Sequence, residues 1–262
     1  MADALKHHWP EYLIEAICLG LFMISAFSFA TLLEHPSSAV HQAIANATLR
    51  RFLMGLAMGG TAIAIIYSPW GQQSGAHINP ATTLTFFRLG KVARWDAVFY
   101  VAGQFLGATA GAIAAAQLLH PRAAHASVNY VVTIPGAWGA LAAFSAEVII
   151  SFILMTVILH VSSHAKLHKF TGVCAGILVA TYITLEAPIS GMSMNPARSF
   201  ASALVGNSWM SLWVYFTAPL IGMLAAAEVY VRKQGIARVA CAKLHHENPK
   251  RCIFCGKPAF DR

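Results

Sequence analysis

Two stretches, one in each half of the chain, carry Ser, Gly, Asn, Pro and Ala at the same offsets: Ser74-Gly75-Ala76-His77-Ile78-Asn79-Pro80-Ala81 and Ser190-Gly191-Met192-Ser193-Met194-Asn195-Pro196-Ala197. Asn is among the strongest N-cap residues because its side-chain oxygen accepts a backbone N–H of the first turn. Pro suits the first helical position, where a missing N–H costs nothing. The spacing therefore predicts two helices, beginning at Pro80 and Pro196 and capped by Asn79 and Asn195. With the amide oxygen held by the cap, the NH2 group of each Asn is free to donate to something in front of the helix, where the helix end adds partial positive charge. Neither motif brings a nucleophile together with a base. The chemistry is that of binding or passage, so the chain is expected not to be an enzyme and to need no cofactor.

The elements that hold these motifs are set by composition. Of the 262 residues, 57% are hydrophobic and 11% charged, against about a quarter charged in soluble domains; the mean hydropathy is +0.60. This is the composition of an integral membrane protein. Apolar stretches at 12–33, 52–70, 95–119, 138–161, 170–187 and 209–231 are each long enough to cross a bilayer, and Glu15 is the single acidic or basic residue of the first. The formal net charge of +8 follows the membrane and not a nucleic acid: Lys6, Arg88, Lys91, Arg94, Lys166, Lys169 and the basic tail gather in alternate connections, with Arg50, Arg51 and Arg122 on the other side. By the positive-inside rule both termini are cytoplasmic, and the cell membrane is the expected location. The fold class is all-α, with six transmembrane helices plus two re-entrant half-helices at about 80–89 and 196–205. Residues 1–11 are read as a cytoplasmic N-terminus, 12–232 as the membrane domain with repeats at about 12–119 and 138–232, and 233–262 as a basic Cys/His-containing tail.

An odd number of crossings separates the two repeats, so the second is inverted relative to the first. The half-helices are too short to cross alone and must meet head to head near the midplane, which is tolerated only where backbone is buried or faces a watery cavity. Glu15 and Glu147 fall in the first span of each repeat. An intramembrane carboxylate needs partners, and the free N–H groups of the re-entrant loops are the expected ones; Glu186, near the second loop, is a third candidate. Two opposed helix N-termini, with Arg198 one turn into the second, disfavour cations and hydronium while leaving neutral solutes unhindered.

The doubled Asn-Pro-Ala, with Arg198 three residues after the second Asn and with Glu15, Gln104, Glu147 and Pro219, resembles the aquaporin (major intrinsic protein) family from about residue 11 to 232. The resemblance implies one pore per subunit, an assembly of four identical subunits as in the family, and passive conduction of water, with small neutral solutes as further candidates. Counted back from each motif without gaps, its selectivity filter corresponds to Gly59, Ile183, Met192 and Arg198. Gly59 would widen that filter and Ile183 with Met192 would make it apolar, which favours a glycerol- or urea-type facilitator. Against this, Ser199 and Ala203 after the motif, and Tyr215-Phe216 before Pro219, are similar to the water channels. A proton-coupled secondary transporter using Glu15, Glu147 or Glu186 is a remoter alternative that lacks a further acidic cluster.

The tail carries Cys241, Cys252 and Cys255, and Cys252-Ile253-Phe254-Cys255-Gly256 has the form of a zinc knuckle. With His245 or His246 these cysteines could complete four ligands. The other readings are a disordered tail of reduced thiols and a basic segment for anionic lipid; no metal is assigned from the sequence.

Overall fold

The computed structural model describes residues 1–258. In chain order its main elements are α1 (Ala2–Glu34), α2 (Ala47–Tyr67), α3 (Pro80–Arg88), α4 (Arg94–Leu118), α5 (Gly139–Ser162), α6 (Thr171–Leu185), α7 (Pro196–Gly206) and α8 (Leu212–Gln234), with no strand among the described residues. All but α3 and α7 are long and apolar enough to cross a membrane, α6 when the preceding turn is counted with it (His168–Leu185). The chain is an integral membrane protein.

Helix α1 packs along α4, α5 along α8, and α2 against α6. The first three spans thus correspond to the last three, with α2 and α6 meeting where the halves join. Leu13, Leu106, Leu141, Ile177 and Ile221 stand exposed on the outer surface, as do Trp9, Trp70, Trp95, Trp138, Trp209 and Trp213. An apolar exterior and exposed indoles near span ends suit lipid and its interface.

Two helix boundaries differ from the sequence expectation. Helix α1 begins at Ala2 and runs through Pro10, so its first turns extend past the apolar stretch. Helix α2 stops at Tyr67 because Pro69 holds Ser68 extended (ψ 156°). Ser68 then caps a separate short helix, Pro69–Ser74, by accepting from the Gly71 N–H at 3.0 Å. Helix α6 is likewise followed by a short helix, Ala187–Ser190.

The start of α1 and the end of α8 lie at one face, called here the terminal face. There Asp96, opening α4, accepts from the hydroxyl of Tyr12 at 2.5 Å and contacts His8 at 2.8 Å. At the opposite face the connection after α4 reaches the end of α1, with Ser127 Oγ donating to the Glu34 carbonyl at 2.8 Å.

Candidate functional site

Asn79 Oδ1 accepts from the Ala81 N–H at 2.9 Å, and Asn195 Oδ1 from those of Ala197 and Arg198 at 3.1 and 3.3 Å. The backbone entering each cap alternates through the left-handed region at matched positions: Gly75, Ala76 and Ile78 at φ 100°, 54° and 40°, then Gly191, Met192 and Met194 at 80°, 48° and 53°. Non-glycine residues hold such angles only when their surroundings over-determine them. Here the surroundings are two buried carboxylates. Glu15 accepts from Ser74 Oγ (2.9 Å), His77 N (3.0 Å), Ile78 N (2.6 Å) and Gln104 Nε2 (2.9 Å). Glu147 accepts from Ser190 Oγ (2.8 Å), Ser193 N (2.6 Å) and Met194 N (2.7 Å). Tyr100 on α4 and Tyr215 on α8 complete the symmetry by donating to the Ser74 and Ser190 carbonyls at 2.6 and 2.5 Å. Glu186 does not join this frame. It is buried beside Ser190, whose hydroxyl proton is committed to Glu147, and its carboxylate has no hydrogen-bond partner among the described residues.

The two amide groups are not left wholly free, as the caps alone implied. Asn79 Nδ2 donates to the Met194 carbonyl at 2.7 Å, and Asn195 Nδ2 to the Ile78 carbonyl at 2.8 Å. The half-helices approach so closely that each carbonyl before an Asn needs a donor, and the facing Asn supplies it. These bonds use one N–H of each Asn amide.

A cavity of about 500 Å³ runs past both Asn side chains. Ile66, His77 and Leu244 line its end toward the terminal face; Arg51, Glu34 and Arg198 line the other. Arg198 is held by a 3.0 Å bond from Nη1 to the Val131 carbonyl. Ile183 and Met192 also line the cavity. Gly59 does not, and its assignment is corrected: a Cβ there would run into the Gly176 carbonyl of α6. The neighbouring Met58 faces the cavity, in the series Met58, Ala62, Ile66 on α2 that mirrors Ala175, Val179, Ile183 on α6. Gly59 lies twenty residues before Asn79 and its contact Gly176 nineteen before Asn195. The connection after α2 is thus one residue longer than that after α6.

Around this frame the two loops differ. The imidazole of His77 donates from Nε2 to the Ala242 carbonyl at 2.8 Å, which leaves Nδ1 to accept from Thr83 Oγ1 at 3.0 Å. Its ring stacks on Phe254 at 5.3 Å and 6°. The Leu244 N–H donates to the Gly75 carbonyl at 3.1 Å. The C-terminal segment thus covers the first loop, a role with no signal in the sequence beyond an aromatic residue set between two cysteines. The second loop is covered by the connection before α5, where Thr133 donates to Ser199 Oγ (2.6 Å) and the Gly136 N–H to the Ile189 carbonyl (2.8 Å).

The C-terminal segment is packed, not free. Arg251 donates to both Glu11 oxygens, at 2.8 and 2.7 Å, and this bonding raises its already high pKa. Lys243, buried, donates to the Arg251 carbonyl at 2.8 Å; desolvation pushes its ammonium below the ordinary lysine value. Cys241, Cys252 and Cys255 come together with His246, their ligand atoms all within 4.8 Å of one another. His245 is turned instead onto the ring of Tyr67, at 4.9 Å.

A family model described as major intrinsic protein matches residues 5–230. Among curated relatives, the chain is 36% identical over 175 residues to the "Probable aquaporin NIP-type" of Nicotiana alata, covering 65% of this chain and 62% of that one. It is 34% identical over 176 residues to "Aquaporin NIP6-1" of Arabidopsis thaliana (66% and 55%) and 37% over 179 residues to "Aquaporin NIP1-4" of rice, Oryza sativa subsp. japonica (68% and 63%). The match spans less than two thirds of each relative's length. In fold it is similar to the aquaglyceroporin of Plasmodium falciparum, with a TM-score of 0.67 at 19% identity, covering 84% of this chain and 94% of that one. A match running from the first span to the last, over two motifs on opposed half-helices, means that this chain belongs to the major intrinsic protein family.

Proposed function

We propose that the chain is a passive membrane channel for water and small neutral solutes. The observation that carries the reading is the pair of helix N-termini joined head to head by reciprocal Asn-to-carbonyl bonds, with both Asn side chains on a cavity reaching toward both faces. In this reading a solute oxygen accepts from the remaining N–H of Asn79 and then of Asn195. The positive potential of the two helix ends, with Arg198 beyond them, raises the energy of cations and breaks a continuous proton wire. Met58, Ile183, Met192 and Arg198 form the filter, with Met58 in place of Gly59. A methionine there narrows the passage and supports water as the main solute. Met58, Ile183 and Met192 line the same cavity as Arg198, and this favours the second reading, a glycerol- or urea-type facilitator, because apolar side chains match a carbon skeleton and a guanidinium matches hydroxyls.

The domain is taken as residues 12–232, the terminal face as cytoplasmic from the positive-inside pattern, and the assembly as a homotetramer in the cell membrane, by analogy with the family. Glu15 and Glu147 act as supports for the loops and not as proton carriers, a reading supported by their commitment to backbone donors. Stopped-flow light scattering on liposomes tests it: fast shrinkage in an impermeant osmolyte is expected for a water channel. Accelerated re-swelling in glycerol or urea would give the facilitator reading instead. Uptake driven by a pH gradient and abolished by Glu147→Gln would sink both.

A further inference from the structure

The cluster Cys241, His246, Cys252 and Cys255 lies outside the pore, and its four ligand atoms lie together within 4.8 Å of one another. Cys241 and Cys252 sulfurs lie 3.5 Å apart and His246 Nε2 lies 3.1 Å from Cys255 Sγ. Tetrahedral Zn–S bonds of about 2.3 Å place neighbouring sulfurs about 3.8 Å apart, so little movement is required to seat an ion. The turn between the last two cysteines is closed by the Gly256 N–H on the Cys252 carbonyl (3.0 Å) and the Cys252 N–H on the Lys257 carbonyl (2.8 Å). Zn2+ held by three thiolates and a neutral imidazole leaves one net negative charge, and the ammonium of Lys243, 2% exposed, donates to the carbonyl of Arg251, the neighbour of Cys252. The ligands also flank each contact that seats the segment on the first loop. Cys241 precedes Ala242, the acceptor of His77; Leu244, at the cavity's end, stands two before His246; Cys252 and Cys255 bracket Phe254. A segment this short, with no long helix, needs such a staple to hold one shape.

We propose that these four residues bind one Zn2+, and that the ion folds the C-terminal segment into a cap closing the terminal-face end of the pathway. The closing role rests on the channel reading; the metal site does not. Purified full-length protein should contain stoichiometric zinc by mass spectrometry and, when loaded with Co2+, show the absorption bands of tetrahedral thiolate coordination. The double variant Cys252→Ser/Cys255→Ser should lose both. In liposomes, stripping the ion with a chelator should raise water permeability several-fold, and Leu244→Ala should do the same with zinc retained. Folded wild-type protein, eluting as a single species, that neither carries zinc nor gives the cobalt bands would overturn the site. Zinc bound, with permeability unchanged on stripping and in Leu244→Ala, would overturn the cap. Absence of flux from loaded and stripped protein alike would count against the channel itself, while the cobalt spectrum still decides the metal.

Discussion

Two residues before the Asn, the first re-entrant loop carries His77 and the second Ser193; one turn after it, the first has Thr82 and the second Arg198. Beneath these differences lies one frame, in which a buried carboxylate takes two backbone N–H groups and a serine hydroxyl, and a tyrosine holds the serine carbonyl. The frame answers a need that both loops share, since backbone turned out of a helix inside a membrane must find partners. The positions it leaves open are where the two ends of the pathway become different: a guanidinium at one, an imidazole under a folded cover at the other.

The largest effect is expected from the frame itself. Glu147→Leu leaves the Ser193 and Met194 N–H groups without an acceptor and should cost about 3–5 kcal/mol, seen as loss of monodisperse protein on size exclusion in detergent. Glu15→Leu should cost as much. If only one of them collapses, the two loops are not equivalent. Next come the caps: Asn79→Ala and Asn195→Ala each remove a cap and a bond to the facing loop, about 1–3 kcal/mol. Thermal melts should rank Asn195→Ala as the worse, because that residue caps two N–H groups and Asn79 one.

Arg198→Thr makes the second loop match Thr82 of the first. A unit charge about 10 Å away at an effective dielectric of about 20 is worth about 1–2 kcal/mol, so proton leak into dye-loaded liposomes should rise about tenfold. An unchanged leak would assign the barrier to the shared helix ends alone. The smallest effect is expected at Met58→Gly, which should speed glycerol re-swelling by a few-fold while leaving water shrinkage nearly unaltered; no change would remove Met58 from the filter.

The motifs, the opposed half-helices and the carboxylates under them were legible in the sequence because each follows from a local requirement: an Asn-Pro start, a span length, a charge that needs donors. Gly59 was placed at the filter because spacing along the chain does not report which face of α2 turns to the cavity, and its approach to Gly176 shows only in three dimensions. The reciprocal use of the Asn amides was hidden for a related reason, since nothing local to either motif says how near the other one comes. The cysteines were visible as candidate ligands, but the choice of His246 over His245 depends on which ring finds Tyr67.

The exchange of donors between Asn79 and Asn195 also bears on how the molecule is made. Each repeat completes the other's hydrogen bonding, as the two copies of a symmetric dimer would, although here they are joined in one chain. The first loop therefore emerges during synthesis with its Ile78 carbonyl unmet, and it stays unfinished until the seventh helix has entered the membrane. Assembly of the pathway is in this sense a single late event, and the two halves co-expressed as separate chains should find each other through it.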